Sequence, residues 1–325
     1  MQAWWCESLD GVGALRWSEA PTPEPGPGQV RVAVRAASLN FPDLLIVEGK
    51  YQFKPPLPFV PGSEFSGHVD AVGEGVRHLK AGDPVAVVNG TGGFATHACV
   101  DAARVLPLPP GFDLEDAAAF AFAYGTSYHA LIDRGALRRG ETVLVLGAAG
   151  GVGSAAVQIA KAAGARVIAA ASTAEKCEFC LGLGADATLN YGQGDLRAQI
   201  KALTAGQGPD IVYDPVGGDL AEPAFRSIAW RGRYLVIGFA AGSVPSLPLN
   251  LPLLKGASIV GVFLGELLAR EPKTATAALG QLMAWYGQGL VKPAIDARLP
   301  MQDLAQAYAR MGARTVRGKL VMINP

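Results

Sequence analysis

An excess of charge is the first thing missing: Lys and Arg together number 28, and so do Asp and Glu. A neutral chain offers no broad basic surface to nucleic acid or anionic lipid, so neither is an expected partner. Long apolar runs are missing too. Nowhere do 18 consecutive apolar residues occur, so no segment reads as a membrane-spanning helix. The opening MQAWWCESLD has neither a basic n-region nor a continuous apolar h-region, and the expectation is a cytoplasmic chain. Cysteine is scarce as well. Cys6, Cys99, Cys177 and Cys180 are too scattered for a disulfide framework. Cys177-x-x-Cys180 reads either as a redox or zinc pair or as two small apolar residues on a helix. No second CxxC or CxxH stands nearby to complete four ligands, which favours the helix. His68, His78, His97 and His129 are equally dispersed, and no metal site is expected.

What is present is apolar material for two cores: 50% of the 325 residues are hydrophobic. From Trp4 to about Ala121 the pattern has period two, as in Gln29-Val30-Arg31-Val32-Ala33-Val34-Arg35 and Gly67-His68-Val69-Asp70-Ala71-Val72-Gly73. Such alternation predicts half-buried strands and a β-rich domain. Leu114 to Arg134 then turns helical. Further on, apolar runs at Val143–Leu146, Arg166–Ala171, Ala187–Tyr191, Asp210–Tyr213, Tyr234–Gly238 and Ser258–Phe263 alternate with helical segments. This predicts a doubly wound parallel sheet. A long helical pattern runs from Leu264 to Gly289, and Leu299 to Pro325 adds a helix and a last strand at Gly318–Ile323. That tail has no sheet of its own and is expected to return to the first domain. The predicted division is 1–122 with 264–325, enclosing 123–263.

The stretch most loaded with chemistry is TVLVLGAAGGVGSAAVQIAKAAG, Thr142 to Gly164. A buried strand runs through Gly147–Gly153 into a helical pattern carried by Val152, Ala155, Ala156, Ile159, Ala160 and Ala163. A helix N-terminus presents unbonded N–H groups and a partial positive charge, which suits a pyrophosphate. The strict G-x-G-x-x-G fingerprint is not met, because Ala148 stands first before Gly150 and Gly153. The βαβ context restores the reading. The second strand ends Ala169-Ala170-Ala171-Ser172-Thr173, with no Asp or Glu to grip a ribose 2′-hydroxyl. Glu175 reads as the far half of a Ser172-x-x-Glu175 capping box. Ser172, Thr173 and Lys176 suit a 2′-phosphate instead, so the predicted cofactor is NADPH; the other reading of Lys176 is a solvated helix residue.

Taken together, the segments AASLNFPD (36–43), LPFVPGSEFSG (57–67), GEGVRHLKAGDPV (73–85), AAGGVG (148–153), Leu189–Tyr191, VYDPVGG (212–218) and RTVRGKL (314–320) resemble the medium-chain dehydrogenase/reductase superfamily. The resemblance is to its zinc-free quinone oxidoreductase, or zeta-crystallin-like, branch, and it spans essentially the whole chain. It implies an α/β protein with a GroES-like β-rich catalytic domain and a Rossmann domain binding NADPH. In the alcohol dehydrogenase branch, a cysteine and a histidine ligate catalytic zinc where this chain has Asn40 and Ser63. Without a Lewis acid, several kcal/mol of transition-state stabilisation are lost, and a quinone or a carbonyl-conjugated alkene needs less help than a ketone. Hydride transfer in the interdomain cleft is the implied chemistry.

By the same resemblance, Asn40 and Tyr51 line the substrate pocket as hydrogen-bond donors and Asp43 orients the Asn40 loop. Asn40 serving only its turn, or Tyr51 only its packing, remains the alternative. Phe41, Phe53 and Phe263 are candidates for an apolar wall, or plain core. The cofactor set comprises Thr126 near the nicotinamide, Ala149, Gly150, Gly151, Val152 and Gly153 at the pyrophosphate, and Ser172, Lys176 and Tyr191 at the adenosine phosphate. Val216, Gly238 and Phe239 follow at strand ends, and Arg317 with Lys319 is expected to reach the phosphates. An acyl-CoA or enone reductase and an NADPH-regulated, non-catalytic binding protein are the competing functions. Gly256–Val262 leaves an apolar sheet edge, which together with the resemblance predicts a homodimer.

Overall fold

A computed structural model describes residues 1–325, and no helix in it is long and apolar enough to cross a membrane. The chain separates into two compact units, Met1–Phe122 with Ile295–Pro325, and Ala123–Ala294.

The first unit is built on a seven-stranded sheet. Its spine runs Ile295–Pro300, Lys319–Ile323, Gln29–Leu39, Glu64–Val72, Pro84–Val88 and Val105–Pro107, and His97–Asp101 also pairs with Gln29–Leu39. The alternation read from the sequence is the cause: Val30, Val32 and Val34 enter the core while Gln29, Arg31 and Ala33 are less buried. Register decides what meets at the sheet's end. Ser38 lies opposite Val321 on one side and Glu64 on the other, and Leu39 lies opposite Leu320. Asn40, just past the end of Gln29–Leu39, is therefore brought together with Glu64 and Lys319, the first residues of two neighbouring strands far apart in sequence.

The second unit carries a six-stranded parallel sheet. Its order is Ala187–Asn190, Arg166–Ala171, Thr142–Val145, Ile211–Asp214, Arg233–Val236 and Ser258–Gly261. The central strands are buried on both faces, as their unbroken apolar runs require. The strand order reverses between Thr142–Val145 and Ile211–Asp214, the place where doubly wound sheets bind ligands beyond their strand ends.

Three expectations are corrected. The helical stretch from Leu264 is two helices, Leu264–Arg270 and Pro272–Gly287, because Pro272 cannot continue the first and Glu271 leaves the helical region at φ −129°, ψ 53°. Residues 264–294 group with the second unit and not the first. Leu264 lies beneath Gly125, Trp285 rests 5.7 Å from the Tyr128 ring, and Gln158 holds the Lys292 backbone through both its amide ends. Finally, the helix Ala174–Gly182 is capped by the Thr173 hydroxyl, which accepts from the Lys176 N–H at 3.2 Å. The Ser172–Glu175 box does not form, since the N-cap falls one residue later.

Candidate functional site

In the second unit, the strand Thr142–Val145 delivers the chain into Gly147, whose φ of +56° favours glycine, and then into the helix Gly151–Ala162. Gly150 is the N-cap and no side chain caps the helix, so its first-turn N–H groups are left for a ligand. Gly153 is required by contact: a Cβ there would lie 2.3 Å from the Gly147 carbonyl oxygen and 2.8 Å from Ala148 Cα. Helix and turn therefore approach more closely than any side chain permits. Ala149 is buried, Val152 half-buried, and the Ser127 hydroxyl donates to the Val152 carbonyl at 2.9 Å while sharing a bond with the Tyr213 hydroxyl.

Next to this turn, Asp214 shapes the Val216 loop. One carboxylate oxygen accepts the N–H groups of Val216 and Gly217 at 2.7 and 2.8 Å, and the other accepts the Tyr234 hydroxyl. Sequence reasoning missed Asp214, although Asp-Pro-Val-Gly-Gly is a turn signal in itself. Ser172 and Tyr191 are half-buried residues just past the ends of the adjacent strands Arg166–Ala171 and Ala187–Asn190, Lys176 is half-buried in the first turn of the helix Ala174–Gly182, and Thr126 is buried at 8% exposure. Gly238 and Phe239 follow the strand Arg233–Val236, with the Phe239 ring 37% exposed. An uncapped helix N-terminus, a backbone cradle and no carboxylate at the Ala171 strand end fit a phosphorylated dinucleotide.

In the first unit, the buried polar groups converge at the sheet's end. Asp43, 1% exposed, accepts the Asn40 N–H at 2.8 Å and the Ser63 N–H at 2.9 Å, tying the start of the helix Phe41–Val47 to the neighbouring strand. Burial raises its carboxyl to about 6, against the lowering effect of those hydrogen bonds and of Lys319. Glu64, fully buried, accepts from the Ser38 hydroxyl at 2.7 Å, from Asn40 Nδ2 at 3.2 Å and from the Phe122 N–H at 2.7 Å. Lys319 Nζ donates to Asn40 Oδ1 and stands 3.5 Å from Glu64. Burial lowers the Lys319 pKa, with Glu64 and Asp43 acting in the opposite direction.

The structure thus gives Lys319 a setting different from the phosphate contact expected of it: it is 5% exposed and engaged inside its own unit. Arg317 is exposed, 3.6 Å from Asp296. Tyr51 is half-buried against the core, and its phenol is raised by burial first and Asp43 second, so it stays a donor at neutral pH. Phe53 and Phe263 are each 49% exposed, and Phe41 is half-buried. Glu64 and Ser38 had no local signal; only strand register reveals them. No group of three or more His, Cys, Asp or Glu side chains is placed to hold a metal ion.

Residues 26–110 match the alcohol dehydrogenase GroES-like domain, and residues 151–282 match the zinc-binding dehydrogenase family. Quinone oxidoreductase-like protein 2 of Mus musculus is 38% identical over 304 residues, 93% of this chain and 87% of that protein. This chain belongs to the quinone oxidoreductase-like family of medium-chain dehydrogenases/reductases. Among solved structures, Escherichia coli quinone oxidoreductase complexed with NADPH is similar with a TM-score of 0.92 at 29% identity, covering 100% of both chains. The quinone oxidoreductase of Thermus thermophilus, solved alone and with NADPH, gives 0.87 at 34% identity, again over 100% of both chains. The human synaptic vesicle membrane protein VAT-1 homolog is also similar, 34% identical across 98% of this chain and 86% of its own.

Proposed function

We propose that this protein reduces a quinone with NADPH and without a metal ion. The observation that carries the reading is the donor set around Asn40. Where zinc relatives place a thiolate and an imidazole, this chain has an amide and a hydroxyl, with the Lys319 ammonium bonded to that same amide. An ammonium opposes a divalent cation, and neither donor is a usual zinc ligand. The same groups favour an oxygen that is gaining negative charge.

The second unit fits NADPH through the uncapped N-terminus of Gly151–Ala162 and the Gly153 cradle, with Ser172, Lys176 and Tyr191 assigned to the 2′-phosphate. Because Thr173 takes the cap, the Ser172 hydroxyl has no capping role to compete with that contact. When bound, NADPH supplies a hydride from its nicotinamide ring; with one proton from solvent, the quinone becomes a hydroquinone. Asn40 Nδ2 and the Tyr51 hydroxyl steady the quinone oxygen as it takes up charge, and Asp43 keeps Asn40 in place. Because the acceptor is already electrophilic, orientation and these donors replace a Lewis acid.

The strand Ser258–Gly261 ends the parallel sheet with Ile259 44% exposed, and pairing of this edge with a second copy accounts for it. NADPH oxidation measured with 1,4-benzoquinone and 9,10-phenanthrenequinone beside crotonyl-CoA and a simple enone tests the function. Turnover of the quinones supports it. Turnover of the conjugated alkenes alone makes the protein a double-bond reductase, and tight NADPH binding without any turnover makes it a nucleotide-regulated binding protein.

A further inference from the structure

We infer that Lys319 is a positioning residue for this reduction, holding Oδ1 of Asn40 so that an amide N–H is fixed and strengthened as the donor to the acceptor's oxygen. The inference rests on the quinone reductase reading and gives Lys319 a role other than phosphate binding. Asn40 is held at both ends by opposite charges: Oδ1 accepts from the Lys319 ammonium, and Nδ2 donates to the Glu64 carboxylate at 3.2 Å. Turning the amide over would set its N–H groups against the ammonium and its oxygen against the carboxylate, so one orientation is enforced. Nδ2 also donates to the Ser38 carbonyl and the Ser63 hydroxyl, but with the nitrogen 3.5 Å from each oxygen, the outer limit of a hydrogen bond. These two weak contacts are the ones a substrate oxygen would displace. A cation on the carbonyl end of an amide polarises it and makes the N–H a better donor, more so in a buried setting.

Burial also argues against a phosphate role. Lys319 is 5% exposed with its charge met by Glu64, whereas Arg317, two residues earlier, is exposed. An ammonium already bonded to Asn40 and facing Glu64 and Asp43 has to leave a buried anionic setting to reach a phosphate.

The test uses full-length protein. Because Lys319→Met alone strands Glu64 without its cation, it is made on a Glu64→Gln background, with Glu64→Gln as the reference and Asn40→Ala added to each. NADPH affinity is read by fluorescence titration, and kcat and KM are read with the best quinone at saturating NADPH. The inference expects an unchanged NADPH affinity and quinone KM, a fall in kcat of about 10- to 100-fold on Lys319→Met, and no further fall when Asn40 is also removed. A loss of NADPH affinity of about tenfold or more with kcat preserved overturns it and makes Lys319 a phosphate ligand. Independent, multiplying losses from Lys319→Met and Asn40→Ala overturn it as well. A wild-type protein that turns over no acceptor defeats the functional reading itself, and is seen before any variant is made.

Discussion

Replacing Gly153 by alanine probes the cofactor turn at its tightest point. The new Cβ would stand 2.3 Å from the Gly147 oxygen, 2.8 Å from Ala148 Cα and 3.0 Å from Ala148 C, all backbone atoms that cannot swing aside. The helix Gly151–Ala162 must therefore move outward, although its face is packed by Ala155, Ala156, Ile159 and Ala160, each fully buried. Overpacking of this kind costs about 1–3 kcal/mol, which lowers the unfolding temperature by roughly 2–4 °C for each kcal/mol in a unit of this size. Binding suffers further, because the N–H groups that meet the pyrophosphate travel with the helix. At a concentration 100 times its Kd, NADPH stabilises a protein by about 2.7 kcal/mol; at that same concentration the variant should gain far less. Gly280→Ala is the control, since nothing lies within 4 Å of a Cβ in the exposed interior of the helix Pro272–Gly287, and helix propensity makes it stabilising by about 1 kcal/mol. Thermal unfolding with and without NADPH reads both effects. A Gly153→Ala protein with wild-type melting and wild-type stabilisation by NADPH would refute the reasoning.

Three further outcomes are expected. Lys176→Ala should weaken NADPH by about tenfold or more while leaving NADH nearly unchanged, by titration with each cofactor; equal losses would remove Lys176 from the 2′-phosphate. Asp43, near 6 when folded and about 3.9 when unfolded, holds its proton longer in the folded state, so its contribution to stability is fully present below about pH 4 and is lost as pH rises to about 6. The loss is on the order of 3 kcal/mol, and urea unfolding of wild type and Asp43→Asn at pH 4 and pH 7 should show this slope only in the wild type. Ile259→Lys should convert a dimer to a monomer in light scattering at micromolar concentration without lowering NADPH affinity; a wild-type protein that is already monomeric contradicts the edge-pairing proposal.

The elements most legible in the sequence were those whose cause is local. Arg166–Ala171 is a strand with the predicted limits because an unbroken apolar run has one use in a doubly wound sheet, and the glycine turn is where backbone approach demands it. Pro272 is an equally local signal, a stop inside an otherwise continuous helical pattern, because proline disfavours continuation. The domain to which 264–294 belongs was not legible, because amphipathic spacing shows that a helix packs but not against what. The answer lies in the Gln158–Lys292 bonds, which span 134 residues. The polar cluster shows the same limit more sharply. Asn40 and Asp43 sit within one turn of each other and are implied together by the resemblance, but their partners Glu64 and Lys319 arrive through strand register. The resemblance implies a phosphate contact for Lys319 as for Arg317, and nothing local in Arg317-Gly318-Lys319 reveals that Lys319 is the buried one of the two.

The central claim is that NADPH reduces a quinone on this protein without a metal ion. The most direct measurement is the rate of NADPH oxidation with 1,4-benzoquinone on protein dialysed against a chelator and verified free of metal, repeated after adding one equivalent of zinc. The account predicts full turnover in the metal-free protein and no gain from zinc. Inactive metal-free protein that zinc restores would contradict it.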